Sequence, residues 1–311
     1  MYLTDSPAQA PQPVFAPASS HESNAIGSMS TDKLTDEDQV EILAFLAARP
    51  LHTVIMAGHI RDNGVVSVFN RGTFHGYRGL EGSLEGVALI GHATLMETRS
   101  LAALQAFARV AQDSSEIHVI MAEPEKVDLF WRYYGQTGQR PRALGCELLM
   151  EQRWPVTVDH DLKGLRLATR EDLDGVMLVQ AQMAMADGGL NPLEIDPLGF
   201  RRRCARRIEM GRTWVWRQDQ HLIFKVDVLS DTPEAIYLEG IWVNPLERRK
   251  SYGLRCLTQV CRKLLTQTGS ICVLVNEDNL KARILYHQAG FKVRGSYESV
   301  FLQSQPKPQT V

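Results

Sequence analysis

The run Arg248-Arg249-Lys250-Ser251-Tyr252-Gly253-Leu254 has the make-up of an anion site, because three cations and a tight turn stand directly before a helical pattern. An alternating stretch through Ile241, Trp242 and Val243 leads into it and stops at Pro245. Leu254, Leu257, Val260, Cys261, Leu264 and Leu265 follow at helical spacing. The first N–H groups of such a helix lack partners and its dipole favours negative charge, so a pyrophosphate would be well received there. Taken alone, the same turn is equally a solvated basic loop. A second group lies downstream at Asn276, Asn279, Ala282 and Tyr286. Asn279 and Tyr286 are seven positions apart, which sets them on one helical face about two turns from each other. A half-buried aromatic with its hydroxyl at the surface fits that spacing as well as a proton donor does. Upstream, strict alternation would put Tyr237, Glu239, Ile241 and Val243 on one face of a strand. A carboxylate in apolar surroundings is a better proton acceptor than one in water, which makes Glu239 a candidate base. Binding an amine, or pairing with an arginine, are its competing roles.

The segment Arg248-x-x-Ser251-x-Gly253 resembles the acyl-CoA signature of the GNAT (general N-acetyltransferase) superfamily, Arg/Gln-x-x-Gly-x-Gly/Ala, with Ser251 where the first glycine stands. The stretch from Val273 to Phe291 resembles the same superfamily's fifth strand, the helix after it and the Gly-Phe step into the next strand. The two matches occur in order, about 25 residues apart. The resemblance implies acetyl-CoA as cosubstrate, with its pyrophosphate on Arg248, Arg249, Lys250, Ser251, Tyr252, Gly253 and Leu254. It implies a pantetheine arm along Ile241, Trp242 and Val243, whose amides polarise the thioester carbonyl, with Asn276, Asn279 and Ala282 on its other side. Tyr286 would protonate the leaving thiolate and Glu239 would take the proton of the amine, directly or through water. The implied reaction is direct transfer of an acetyl group to a primary amine, without a metal. A non-catalytic acyl-CoA sensor or interaction protein is the alternative. Because serine carries a Cβ, which disfavours positive φ, Ser251 is expected to alter the turn slightly or tighten the approach of CoA.

The elements needed to position these groups repeat along the chain. Strands are expected near 65–69, 73–77, 85–96, 117–122 and 143–150, with helices at 100–112 and 125–134. The second half repeats the order: strand 165–169, helices 171–186 and 198–210, strands 213–217, 222–229 and 235–243, helix 252–266, strand 270–275, helix 280–288, strand 291–301. Leu84–Met150 matches Tyr237–Leu302 in pattern, each ending in a helix, a glycine (Gly135, Gly290) and a strand. The expected fold is therefore α/β (α+β): two GNAT-like mixed-sheet domains in tandem, each a central twisted sheet flanked by helices. Boundaries are expected at 1–34 for a disordered tail rich in Pro, Ser and Ala, 35–154 for a first domain opened by a Thr35/Asp38 cap, and 163–311 for the CoA-binding domain. The layout resembles bacterial two-part GNAT proteins whose first domain has no known function. In the first half the equivalent turn reads Met96-Glu-Thr-Arg-Ser-Leu101, without glycine or basic cluster, so no CoA is expected there. Phe74, His75 and Tyr77, and the group Phe130, Trp131, Tyr133 and Tyr134, read as core.

The acceptor site is expected between the loop 187–196, with Asp187, Glu194 and Asp196, and the strand 224–227. Arg201, Arg202, Arg203, Arg206 and Arg207 read as a solvated basic face. A net charge of −2 gives no global field for nucleic acid, and none is expected as a partner. Five cysteines without C-x-x-C spacing fit neither a disulfide framework nor a zinc site. No stretch reads as a membrane span or secretory signal, so a cytoplasmic monomer or homodimer is expected.

Overall fold

The computed structural model describes residues 31–157 and 161–303, apart from the side chains of Asp187 and Gly188. The first half runs β1 (Thr31–Lys33), α1 (Gln39–Leu46), α2 (Pro50–Asn63), β2 (Gly72–Arg78), β3 (Leu84–Gly91), β4 (Ala93–Thr98), α3 (Leu101–Gln112), β5 (Val119–Ala122), α4 (Pro124–Tyr134) and β6 (Pro141–Gln152). The second runs β7 (Arg166–Leu167), α5 (Leu173–Gly188), α6 (Pro192–Ile195), α7 (Pro197–Glu209), β8 (Thr213–Gln218), β9 (His221–Asp231), β10 (Ile236–Val243), α8 (Tyr252–Leu264), β11 (Ile271–Asn276), α9 (Leu280–Gln288) and β12 (Lys292–Leu302). Both halves open with the same device. Thr35 and Thr169 form capping boxes with Asp38 and Asp172, each aspartate accepting the threonine N–H at 2.8 Å.

All these strands join one mixed sheet in the order β1-β2-β3-β4-β5-β12-β6-β11-β10-β9-β8-β7. The two halves exchange their last strands. β12, the end of the second half, lies antiparallel to β5 of the first. β6, the end of the first half, lies antiparallel to β11 of the second, and β6 and β12 pair along most of their length in the middle. Alternation along the strands then feeds two faces. Val87 and Leu89 pack under α1 and α2, while Ala88 and Ile90 pack under α3 and α4. In the second half Val215 meets α5 and α7, whereas Phe224, Val226, Leu238 and Met150 meet α8 and α9. Helix α2 crosses the seam, its Val54 packing with Leu149, Tyr237 and Tyr297.

Three expectations change. Residues 65–69 form a short 3-10 turn at Val68–Asn70 instead of a strand, closed by Ser67 accepting from the Phe69 N–H and by a left-handed Arg71. The single strand expected at 85–96 is two, β3 and β4, because the chain reverses at Gly91-His92 inside a continuous apolar run that carries no polar turn signal. Of the tail expected at 1–34, residues 1–30 lie outside the described residues, and Thr31–Lys33 forms an edge strand on β2 through backbone pairing, a signal that composition does not carry.

Candidate active site between β10 and β11

β10 pairs with β11 only through Ile236, Leu238 and the residue between them, opposite Ile271–Val273. Beyond that point β10 keeps β9 on its far side and β11 keeps β6, so the two central parallel strands part. The backbone of β10 from Glu239 to Val243 therefore presents an edge to the gap, able to bond a ligand as another strand would.

A bulge reshapes this edge. The register with β9 slips between Glu239, opposite Asp227, and Trp242, opposite Lys225. Gly240 sits in it at φ 60°, where a Cβ would stand 2.7 Å from the Lys225 Nζ. The extra residue reverses the alternation, which corrects the expectation of one common face. Tyr237 and Glu239 lie on the α2/α7 face, but Ile241 and Val243 pack with Leu238 against α8 and α9. Nor are the surroundings of Glu239 apolar. The Arg207 guanidinium lies 3.0 Å from it and 2.9 Å from the buried Asp227, which also takes the Lys225 ammonium at 2.5 Å and the Thr213 hydroxyl at 2.7 Å. Gln180 Oε1 and the Gly240 carbonyl accept the remaining Lys225 N–H groups. Lys225 and Asp227, expected to line the acceptor site, are thus the buried support of the bulge. Arg207, expected in water, is turned inward by two carboxylates that its own helix pattern does not reveal. Elsewhere on that face Arg201 pairs with Asp174 and Arg203 with Asp196 at the surface, and Arg206 donates to the Asn63 Oδ1 at 2.8 Å. Of the acids in the loop, Asp196 and Glu194 serve the α6–α7 corner, and the Asp187 side chain lies outside the described residues.

At the far end of β10 the turn has the form required of an anion cradle. Arg249 and Ser251 both adopt left-handed backbone, with φ of 66° and 58°. Ser251 thus takes up the left-handed conformation that glycine adopts most readily. α8 starts directly after it without a side-chain cap, so the N–H groups of Tyr252, Gly253 and Leu254 face the turn. A Cβ on Gly253 would stand 2.9 Å from Val243 Cγ2, so this glycine lets the helix settle against the strand end. The Arg248 Nε donates to the Val243 carbonyl at 3.3 Å, and Lys250 pairs with Glu247 at 2.8 Å. Tyr252 stands against Trp216, with ring centroids 4.8 Å apart. These groups fit a pyrophosphate.

On the other wall, Asn276 closes β11 and its Oδ1 accepts the Asp278 N–H at 2.8 Å. The Asn279 Oδ1 caps α9 by accepting the Ala282 N–H at 3.1 Å, which gives this asparagine a structural task. Ala282 packs on the core of the second half. Tyr286 is buried against Phe291 on the α8/α9 face, whereas Tyr237 faces α2. Burial, then the charge of Glu239, pushes the Tyr237 hydroxyl well above its ordinary pKa. In the first half β4 and β5 also part beyond Leu95 and Met121, but Glu97 and Glu123 there are bridged by Arg49 and Lys126 at 2.6 to 3.0 Å.

A model of the Acetyltransferase (GNAT) family matches residues 190–291. No curated protein matches significantly. Among solved structures, a Drosophila protein superposes with a TM-score of 0.66 at 12% identity, covering 90% of this chain and 100% of its own. A GNAT-family acetyltransferase from Colwellia psychrerythraea gives 0.56 at 14% identity, covering 88% and 100%. A tandem GNAT protein from the clavulanic acid biosynthesis pathway gives 0.52 at 13%, covering 90% and 100%. At these identities the likeness is one of fold, and it extends over both halves. The match to the GNAT family thus lies in the second half, and the fold of both halves is GNAT-like.

Proposed function

We propose that the second half, within the expected boundaries 163–311, transfers an acetyl group from acetyl-CoA to a primary amine by direct attack. What supports this most is the coincidence, along one strand, of an unpaired β10 edge with a left-handed turn and an uncapped helix start at its end. The pyrophosphate would rest on the turn from Arg248 to Leu254, and the pantetheine would run along Ile241, Trp242 and Val243 with Asn276, Asn279 and Ala282 opposite. Amides of the β10 edge would donate to the thioester oxygen as it gains charge. Tyr286 would protonate the thiolate as the C–S bond breaks. Glu239, tethered by Arg207, would face the amine on the opposite side of the sheet.

The test is release of free CoA thiol from acetyl-CoA with a panel of primary amines. Acceptor-dependent release supports transfer. Tight CoA binding without release would leave the sensor reading in its place. Calorimetry tests the turn separately: Arg248→Ala is expected to weaken CoA binding about tenfold, the loss of one charge-assisted contact. An unchanged dissociation constant would remove Arg248 from the phosphate site.

A further inference from the structure

Glu147 belongs to the first half by sequence and to the second by position. It lies on β6, opposite Asn276 on β11 and opposite Tyr297 on β12. Residues opposed across a sheet share a face, and Tyr297 packs with Val54 of α2, Leu149 and Tyr237. Glu147 is therefore on the α2/α7 face, one strand beyond the gap, on the side from which an amine would approach. A narrow cleft with an enclosed volume of about 20 Å³, room for about one water, lies on this face, lined by Ile55, Leu149, Tyr237, Leu274 and Tyr297 among others.

Resting on the transfer reading above, we propose that Glu147, carried into the second half by strand exchange, receives the ammonium of the acceptor and takes its proton. The acceptor is a primary amine that reaches Glu147 from the α2/α7 face of the sheet. Glu239 has a guanidinium 3.0 Å away, whereas Glu147 is held by a neutral donor, the Ser299 hydroxyl at 2.9 Å. Burial raises the proton affinity of Glu147 above that of an ordinary glutamate, Ser299 opposes this, and Glu298 on β12 adds to it. The other groups around it are Asn276 on β11, Cys146 beside it, Tyr237 on β10, whose phenol feels its charge, and Tyr297, hydrogen-bonded to His52 of α2 at 2.9 Å.

The step balances. R-NH3+ gives one proton to the Glu147 carboxylate. The freed lone pair forms the N–C bond while the C–S pair leaves with sulfur. Tyr286 protonates the thiolate, and the proton shed by the new amide nitrogen restores the phenol.

The test uses the full chain, acetyl-CoA, and n-butylamine, phenethylamine and lysine methyl ester as acceptors, with kcat/KM followed against pH. Glu147→Gln is expected to lower kcat/KM by about 100-fold with CoA affinity and melting temperature kept, and Glu147→Asp to recover part of it. Ser299→Ala, which removes a bond favouring the ionised form, is expected to move the acid limb of the profile to higher pH. Full turnover in Glu147→Gln, or an unmoved acid limb in Ser299→Ala, overturns the assignment while leaving acetyl transfer intact. No release by the unaltered chain with any amine overturns the transfer reading, and this assignment with it.

Discussion

Ser251 holds a left-handed backbone that its Cβ opposes, a strain of about 1 to 2 kcal/mol. Ser251→Gly is therefore expected to raise the melting temperature and to leave CoA affinity equal or higher, as differential scanning fluorimetry and calorimetry would read. Ser251→Val, branched at Cβ, is expected to lose both. Tyr286→Phe keeps the packing on Phe291 and removes only the hydroxyl, so kcat should fall on the order of 100-fold with CoA affinity unchanged. Equal turnover in stopped-flow assays would take Tyr286 out of the acid role. The turn and the α9 residues were legible from the sequence because their neighbours in space are also near in sequence. Arg207 and Glu147 were not, because the groups that give them meaning lie on other elements, in the case of Glu147 on strands about 130 to 150 residues away. The Gly240 bulge had one local sign, a glycine inside an otherwise good strand.

Among the elements, β10 depends on that bulge to turn Glu239 toward Arg207 while Ile241 and Val243 face α8. Gly240→Ala would set a Cβ against the Lys225 ammonium at a φ that disfavours it, so a loss of about 2 kcal/mol or more is expected in urea unfolding. The parted strands of the first half are cross-linked by charge in place of a ligand. Burial alone would raise the Glu123 carboxyl, but Arg49 and Lys126 bring it down to about 2. A carboxyl depressed on folding stabilises above its ordinary pKa, near 4.5, and that contribution is lost as pH falls toward 2. Arg49→Met should consequently narrow the acid-stability difference between pH 5 and pH 3, followed by circular dichroism. The elements themselves were largely visible in the hydrophobic periodicity. The β3/β4 reversal was not, because Gly91-His92 interrupts the run without polar residues around it.

At the scale of the whole molecule, two GNAT-like domains are joined by more than a linker, since β12 fills the first half and β6 fills the second. The repeat in the sequence announced two domains but not the exchange, because strand pairing order leaves no periodic trace. A chain cut at a protease site engineered between Trp154 and Leu162 is expected to run as one particle in size-exclusion chromatography until denatured. Separation of the two fragments under native conditions would contradict the shared sheet. The same crossing sets a clock on synthesis. β5 and β6 emerge from the ribosome without β11 and β12, which follow about 120 to 180 residues later, an interval on the order of 10 to 30 s at ordinary elongation rates. For that time the nascent chain carries a β5 with one bare edge and a β6 with no native mate on either side, so the speed of translation through the second half, and any holdase that shields those edges, should govern how much of the chain escapes aggregation.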